Sequence, residues 1–222
     1  MATLNGIIKP ATIGQVGFDT ASTVTQKALQ EAHNRGYTFA IRYIRRKVAH
    51  DGDLKHDEAQ MILDSGLSLM AVQYVESEES WDANATKGTQ NGNTGVEYAQ
   101  SIGLPPGMNV WCDLEGVSTK CPAADVDAYC RAWFTAVSGA GYVPGLYVGF
   151  HPGLNPQQLF KLPFTHYWRS FNLNDDQVPA VRGTQMRQRS KKALPGLDPS
   201  TFDEDVITGD KKGGVPLMLS AH

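Results

Sequence analysis

Most of the chemistry in the chain is concentrated in Trp111-Cys112-Asp113-Leu114-Glu115. Side chains alternate across a strand. If this segment is extended, Trp111, Asp113 and Glu115 share one face, and Val110, Cys112 and Leu114 share the other. Two carboxylates beside an indole are costly to bury unless something neutralises or uses them. Asp19 closes the first strand-like segment, and Asp203 and Asp205 lie on the last, in Phe202-Asp203-Glu204-Asp205-Val206. Crowded carboxyls raise the pKa of at least one member. One protonated acid beside an ionised one suits cleavage of a glycosidic bond. The first protonates the leaving oxygen, and the second acts as nucleophile, base or electrostatic stabiliser. Glu115 is the expected proton donor. Asp113, Asp19 and Asp203 are expected to hold substrate, water or developing positive charge. A purely structural reading needs a nearby cation, and Arg42 could serve.

These acids need a scaffold that brings distant strand ends together. Strand-like segments are expected at residues 16–19, 39–44, 67–75, 108–115 and 143–150. Helices are expected at 24–35, capped by Ser22 or Thr23, and at 55–65, 94–102 and 122–138. The polar stretch 77–93 reads as a long loop at the mouth. After residue 150 the spacing tightens, with strands at 165–171, 183–189 and 202–207 and little room for helices. The expectation is an α/β fold: a TIM-like (β/α) barrel, irregular, with about five βα units followed by three strands, some of them antiparallel. One domain over 1–222 is expected, with its core at about 16–207. The ends of the first and last strands then meet at the mouth, where barrel active sites lie.

Composition narrows the function classes. The chain has 222 residues, a formal net charge of -3 and 41% hydrophobic residues. That balance argues against a nucleic-acid binder. No apolar run approaches the ~20 residues that span a bilayer. Cys112, Cys121 and Cys130 are an odd, low count and lack histidine partners at ligand spacing. Reduced structural thiols are expected, with neither metal nor cofactor. The basic run Arg42–Lys47 and the cluster Arg187, Arg189, Lys191 and Lys192 are read mainly as solvated surface. So are Glu76, Glu78 and Glu79. The N-terminus lacks a basic region followed by an apolar one, so no Sec signal is expected. Synthesis in the cytoplasm is expected, with release by lysis or export by another route.

Gly17-Phe18-Asp19, Asp113-Leu114-Glu115 and Phe202–Val206 together resemble glycoside hydrolase family 25 muramidases, and more closely their glycoside-hydrolase-like relatives of unknown function. Phe39–Ile44 with Arg42-Tyr43, the segment Val143–Phe150, and Met186-Arg187-Gln188 add to the likeness, which covers about 16–207. The resemblance implies a barrel cleaving peptidoglycan between N-acetylmuramic acid and N-acetylglucosamine. Glu115 matches the general acid, Asp113 its partner, and Asp19 and Asp203 the other acids of the cleft. Substrate contacts are expected from Arg42, Gln73, Tyr74, Tyr147, Trp168 and Gln188. Three positions depart from the pattern. Arg187 replaces an aromatic, Val72–Glu76 replaces a Tyr-His-Phe-like strand, and Asp205 replaces an Asn. They keep two alternatives open: a glycan-binding barrel without turnover, and a hydrolase of another polysaccharide.

Overall fold

The computed structural model describes residues 3–77, 80–179, 181–189 and 193–222. Lys191, Lys192, Glu78 and Glu79 lie outside the described residues. In chain order the elements are β1 (Ile7–Pro10), β2 (Val16–Thr20), α1 (Gln26–Asn34), β3 (Phe39–Ile44), α2 (His56–Asp64), β4 (Ser68–Gln73), α3 (Ala85–Ser101) and β5 (Asn109–Leu114). There follow α4 (Ala123–Gly139), β6 (Val143–Val148), α5 (Pro156–Lys161), β7 (His166–Arg169), β8 (Met186–Arg189), β9 (Phe202–Ile207) and β10 (Leu217–Ser220). Strands β2 to β9 close into an eight-stranded barrel in chain order. Neighbours from β2 to β8 are parallel, and β9 is antiparallel to both β8 and β2. This is the irregular TIM-like α/β barrel expected, with the antiparallel exception confined to one barrel strand. The inversion has a functional consequence: the first residues of β9, not its last, lie at the mouth.

The strands bury both faces. Phe39, Ile41, Met70, Val72, Trp111, Trp168, Met186 and Ile207 form the inner cluster. Phe18, Ala40, Ile44, Leu69, Ala71, Val110, Cys112 and Leu146 pack outward in the cluster that holds the helices. In α1, Ala28, Leu29 and Ala32 supply the buried face. Its N-cap is Thr25, whose hydroxyl accepts from Ala28 N at 3.2 Å, rather than Ser22 or Thr23. Among the described residues no helix is long and apolar enough to cross a membrane.

Four elements differ from expectation. Helix α3 starts at Ala85, nine residues earlier than expected, and takes over much of the presumed mouth loop. Glycine and asparagine are poor helix formers, so the stretch reads as loop. Here the glycines lie against neighbouring elements. A Cβ at Gly88 would overlap the Tyr129 carbonyl, and one at Gly92 would lie 2.8 Å from Ala136 Cβ. One at Gly95 would lie 2.7 Å from Gln73 Nε2. Close packing of α3 on α4 and β4 thus offsets poor propensity. Helix α5 is short but opens on a capping box of Asn155 and Gln158. Finally, β1 and β10 form an antiparallel ribbon that joins β4 through Leu219 and Leu69. It fits beside β4 where that strand's early residues leave β5, since β4 and β5 pair only over Ala71–Gln73 and Val110–Cys112. Asn109 Oδ1 accepts from Leu217 N at 2.6 Å there, and Met218 enters the inner cluster.

Candidate active site

The mouth is built from strand ends. Asp19 sits near the end of β2 and pairs in register with Asp203 at the start of β9. On β5, Trp111 belongs to the inner cluster, so alternation turns Asp113 and Glu115 inward too. Asp19 and Asp113 are buried, whereas Glu115 and Asp203 are partly exposed. Asp203 and Glu115 act on Asp19 through their charge and Asp205 through its side chain, which brings acids of β2, β5 and β9 together at the mouth.

Glu115 lies one residue past β5, and its main chain is held from two sides. Trp81 Nε1 donates to Glu115 O at 2.7 Å, and Trp81 N donates to Gly116 O at 3.3 Å. On the other side Gly116 N donates to Phe150 O at 2.9 Å, and Gly149 N to Leu114 O at 3.1 Å. Gly149 lies directly against the Glu115 side chain: a Cβ there would overlap Glu115 Oε2 and lie 2.9 Å from Cδ. Trp81 and Gly149 escaped the sequence reading. Trp81 falls in the stretch read as loop, and Gly149 looks like an ordinary strand-end glycine. Its φ is outside the left-handed region, so the strain of an alanine there would fall on Glu115, on its Cβ at 2.5 Å as well as on its carboxyl. Gly149→Ala is expected to displace the Glu115 carboxyl and to lower the melting temperature, since the Glu115 Cβ cannot move without its backbone. A structure of the variant and its melting curve check this.

Deeper in the cavity a polar chain fixes Asp19. Tyr147 OH donates to Gln188 Oε1 at 3.2 Å, and Gln188 Nε2 donates to Asp19 Oδ2 at 2.9 Å. Trp168 Nε1 donates to Asp205 Oδ1 at 2.8 Å, with its ring edge-on to Tyr147 at 4.5 Å between centroids. Burial first, and then the Asp203 carboxylate, push the Asp19 pKa up to about 7, against the lowering hydrogen bonds from Gln188 and Asp205. Burial and then the neighbouring carboxylates drive Tyr43 and Tyr147 well above the usual phenol range. Both therefore remain neutral hydroxyls.

The expected substrate contacts divide. Tyr74 is half-buried near the mouth, its ring 4.7 Å from that of Tyr43 and 4.9 Å from that of His50. Tyr147 and Gln188 line the cavity but spend their polar atoms on one another and on Asp19. Trp168 is fully buried and bonded to Asp205, so the expectation of a substrate contact there is corrected. Two further corrections concern residues that point out of the barrel. Arg42 is fully buried against α2: its Nε lies 2.7 Å from Glu58 Oε1, and its other nitrogens donate to Thr20 O and Gly52 O. Gln73 bridges the helices, donating to Asn91 O at 2.7 Å and accepting from Trp133 Nε1 at 2.7 Å. Both lie on the strand face opposite the inner residues Ile41 and Val72. Nor is Arg42 the counter-ion of the cleft acids, since Glu58 takes it. Much of the basic run is likewise paired, Arg45 with Asp53 at 3.0 Å and Arg46 with Glu76 at 2.6 Å.

A closed barrel with acids from its first, fourth and last barrel strands at one mouth defines a glycoside-hydrolase type of fold. The model of the Rv2525c-like, glycoside hydrolase-like domain matches residues 30–200. The chain belongs to that family. Solved structures agree on the fold. The Tat-secreted protein Rv2525c of Mycobacterium tuberculosis, in complex with L-tartrate, superposes with a TM-score of 0.65 at 16% identity over 91% of this chain and 98% of that one. The bacterial lysozyme of Streptomyces coelicolor gives 0.58 at 12% identity over 91% and 95%. A family 25 glycosyl hydrolase of Bacillus anthracis gives 0.56 at 13% identity over 96% of both chains. No curated protein matches the chain by sequence.

Proposed function

We propose that the protein is a glycoside hydrolase that cleaves peptidoglycan as a muramidase, with Glu115 as general acid. The observation that carries this reading is the difference in setting among the cleft acids. Glu115 is partly exposed at the mouth with its backbone held on both sides, while Asp19 and Asp113 lie buried below it. In the mechanism Glu115 gives its proton to the leaving glycosidic oxygen. Asp113, beside it on the same strand face, and Asp203 stabilise the positive charge that develops on the sugar ring or hold the attacking group. Asp19, held by Gln188, completes the anionic floor. Tyr43 and Tyr74 offer rings and hydroxyls to the glycan at the rim. No metal or cofactor is needed for these steps. The substrate lies outside the cytoplasm, so the enzyme meets it after lysis or after export.

A second reading, hydrolysis of a different polysaccharide, is favoured by the burial of Trp111 and Trp168, which removes two stacking surfaces from the cleft. The deciding experiment incubates the protein with purified peptidoglycan and analyses the soluble products by mass spectrometry. Fragments with new muramic-acid reducing ends support the muramidase. Cleavage of another glycan alone supports the second reading. Glycan retention without any product indicates a binding barrel.

A further inference from the structure

Asp205 is a buried acid beside the cleft acids for which this mechanism has no use. It is fully buried on β9, two residues inward from Asp203. In register it lies between Gly17 of β2 and Gln188 of β8. Trp168 of β7 donates to its Oδ1 at 2.8 Å. Its Oδ2 is also buried and meets no donor among the described residues. What the Asp205 carboxyl does meet is the carboxyl of Asp19, within hydrogen-bonding reach. Gln188 Nε2 already donates to Asp19 Oδ2 at 2.9 Å. Two ionised carboxylates cannot hydrogen-bond to each other, and a buried oxygen left without a partner is costly. A single proton between them satisfies both groups.

We propose that Asp19 and Asp205 share one proton, with Asp205 holding it and donating to Asp19, so that Asp205 is the positioning residue for the Asp19 carboxylate. Asp19 is then gripped by two donors, Gln188 and protonated Asp205, and Asp205 is in turn fixed by the Trp168 indole. Above about pH 7, where Asp19 is ionised, the floor of the cleft carries one negative charge where the residue types suggest two. The groups around the pair explain why the proton stays. Asp203 is on the same strand as Asp205, and Glu115 reaches Asp19 from the end of β5. Neutral Tyr43 of β3 and Tyr147 of β6 face the same acids. Each of these either repels a second negative charge or leaves it uncompensated. Loss of the proton to solvent puts two facing carboxylates in a buried site, and Asp19 loses one of its two donors.

The sign of the pH effect follows. Asp19 has a folded pKa raised from 3.8 to about 7, and that of Asp205 is raised well above the aspartate range by burial and then by Asp19. Their stabilising contribution is fully present below the unfolded pKa and is lost as pH rises through the folded one. In Asp205→Asn an amide N–H replaces the proton permanently, and the amide oxygen can still accept from Trp168. Burial and the Asp203 and Glu115 carboxylates still raise Asp19, so what the variant removes is the loss of the Asp205 proton at higher pH.

The test compares melting temperature against pH for wild type and Asp205→Asn, from about pH 5 to about pH 9. The variant should lose much of the wild-type decline above neutrality and become the more stable protein at the alkaline end. Parallel curves would overturn the proposal. Should the variant not fold, carboxyl-carbon NMR of wild type decides: a shared proton requires an aspartate titrating near neutrality, and aspartates that all titrate in the ordinary acidic range refute it. The consequence for turnover rests on the glycosidase reading. If wild type cleaves glycan, the alkaline limb of kcat/KM should move to higher pH in Asp205→Asn. If wild type cleaves nothing, that reading fails, while the melting and NMR data still judge the pair.

Discussion

Glu115→Gln is expected to reduce glycan cleavage by roughly 10²–10⁴-fold, the usual contribution of a positioned general acid. An amide has nearly the shape of a carboxylic acid but has no acidic proton to give to the leaving oxygen. The side chain is partly exposed, and the bonds that hold this corner of the barrel run through its main chain, to Trp81 Nε1 and through Gly116. The substitution touches none of them, so stability should change by less than about 0.5 kcal/mol. Retention on insoluble peptidoglycan should persist. The measurement is release of muropeptides with matched melting curves. A variant that releases product at the wild-type rate removes Glu115 from the mechanism. Loss of cleavage together with loss of the melting transition would instead mean a structural role.

The second large effect is on stability. Arg42→Ala is expected to cost about 3–5 kcal/mol, because it leaves Glu58 as a buried charge without its partner. The same change frees the carbonyls of Thr20 and Gly52, both of which Arg42 satisfies, while Glu58 Oε1 would keep only its bond from Val24 N at 2.8 Å. For a chain of this size that corresponds to a fall in melting temperature of roughly 6–20 °C. Replacing both partners, Arg42→Met with Glu58→Leu, should recover much of the loss, since no buried charge then lacks a partner. A substrate-binding Arg42 would behave differently, with a raised KM and an unchanged melting temperature. Thr20 O lies one residue from Asp19, so some activity should also be lost through the β2 terminus. The comparison of melting temperature with KM separates the two roles.

The contrast between Arg42 and Asp113 shows what could be read in advance. Both are polar residues in strands whose flanking positions are apolar. On β5 the alternation of Trp111, Asp113 and Glu115 against Val110, Cys112 and Leu114 groups the acids correctly, and the barrel turns that face inward. On β3 the same logic groups Arg42 with Ala40 and Ile44 and opposes it to Phe39, Ile41 and Tyr43. Nothing in that pattern says which set faces the cavity, because barrel strands covered by helices bury both faces. Gln73 was misplaced for the same reason. Its partners Asn91 and Trp133 stand 18 and 60 residues away in sequence, on helices whose packing was not in the pattern.

Local chemistry thus determined where strands β3 and β9 begin and end, which acids share a face, the class of barrel and the strand ends at which Asp19, Asp113 and Glu115 lie. These follow from period-two alternation and from turn residues, which are properties of neighbours in sequence. Only the tertiary structure decided which strand face looks inward, that a glycine-bearing segment is the helix α3, that a terminal ribbon fits beside β4, and that Gly149 and Trp81 hold Glu115. It also decided that Asp205 meets Asp19 across β2 and β9. Each of these depends on contacts between residues far apart in the chain, where packing and burial outweigh local preference.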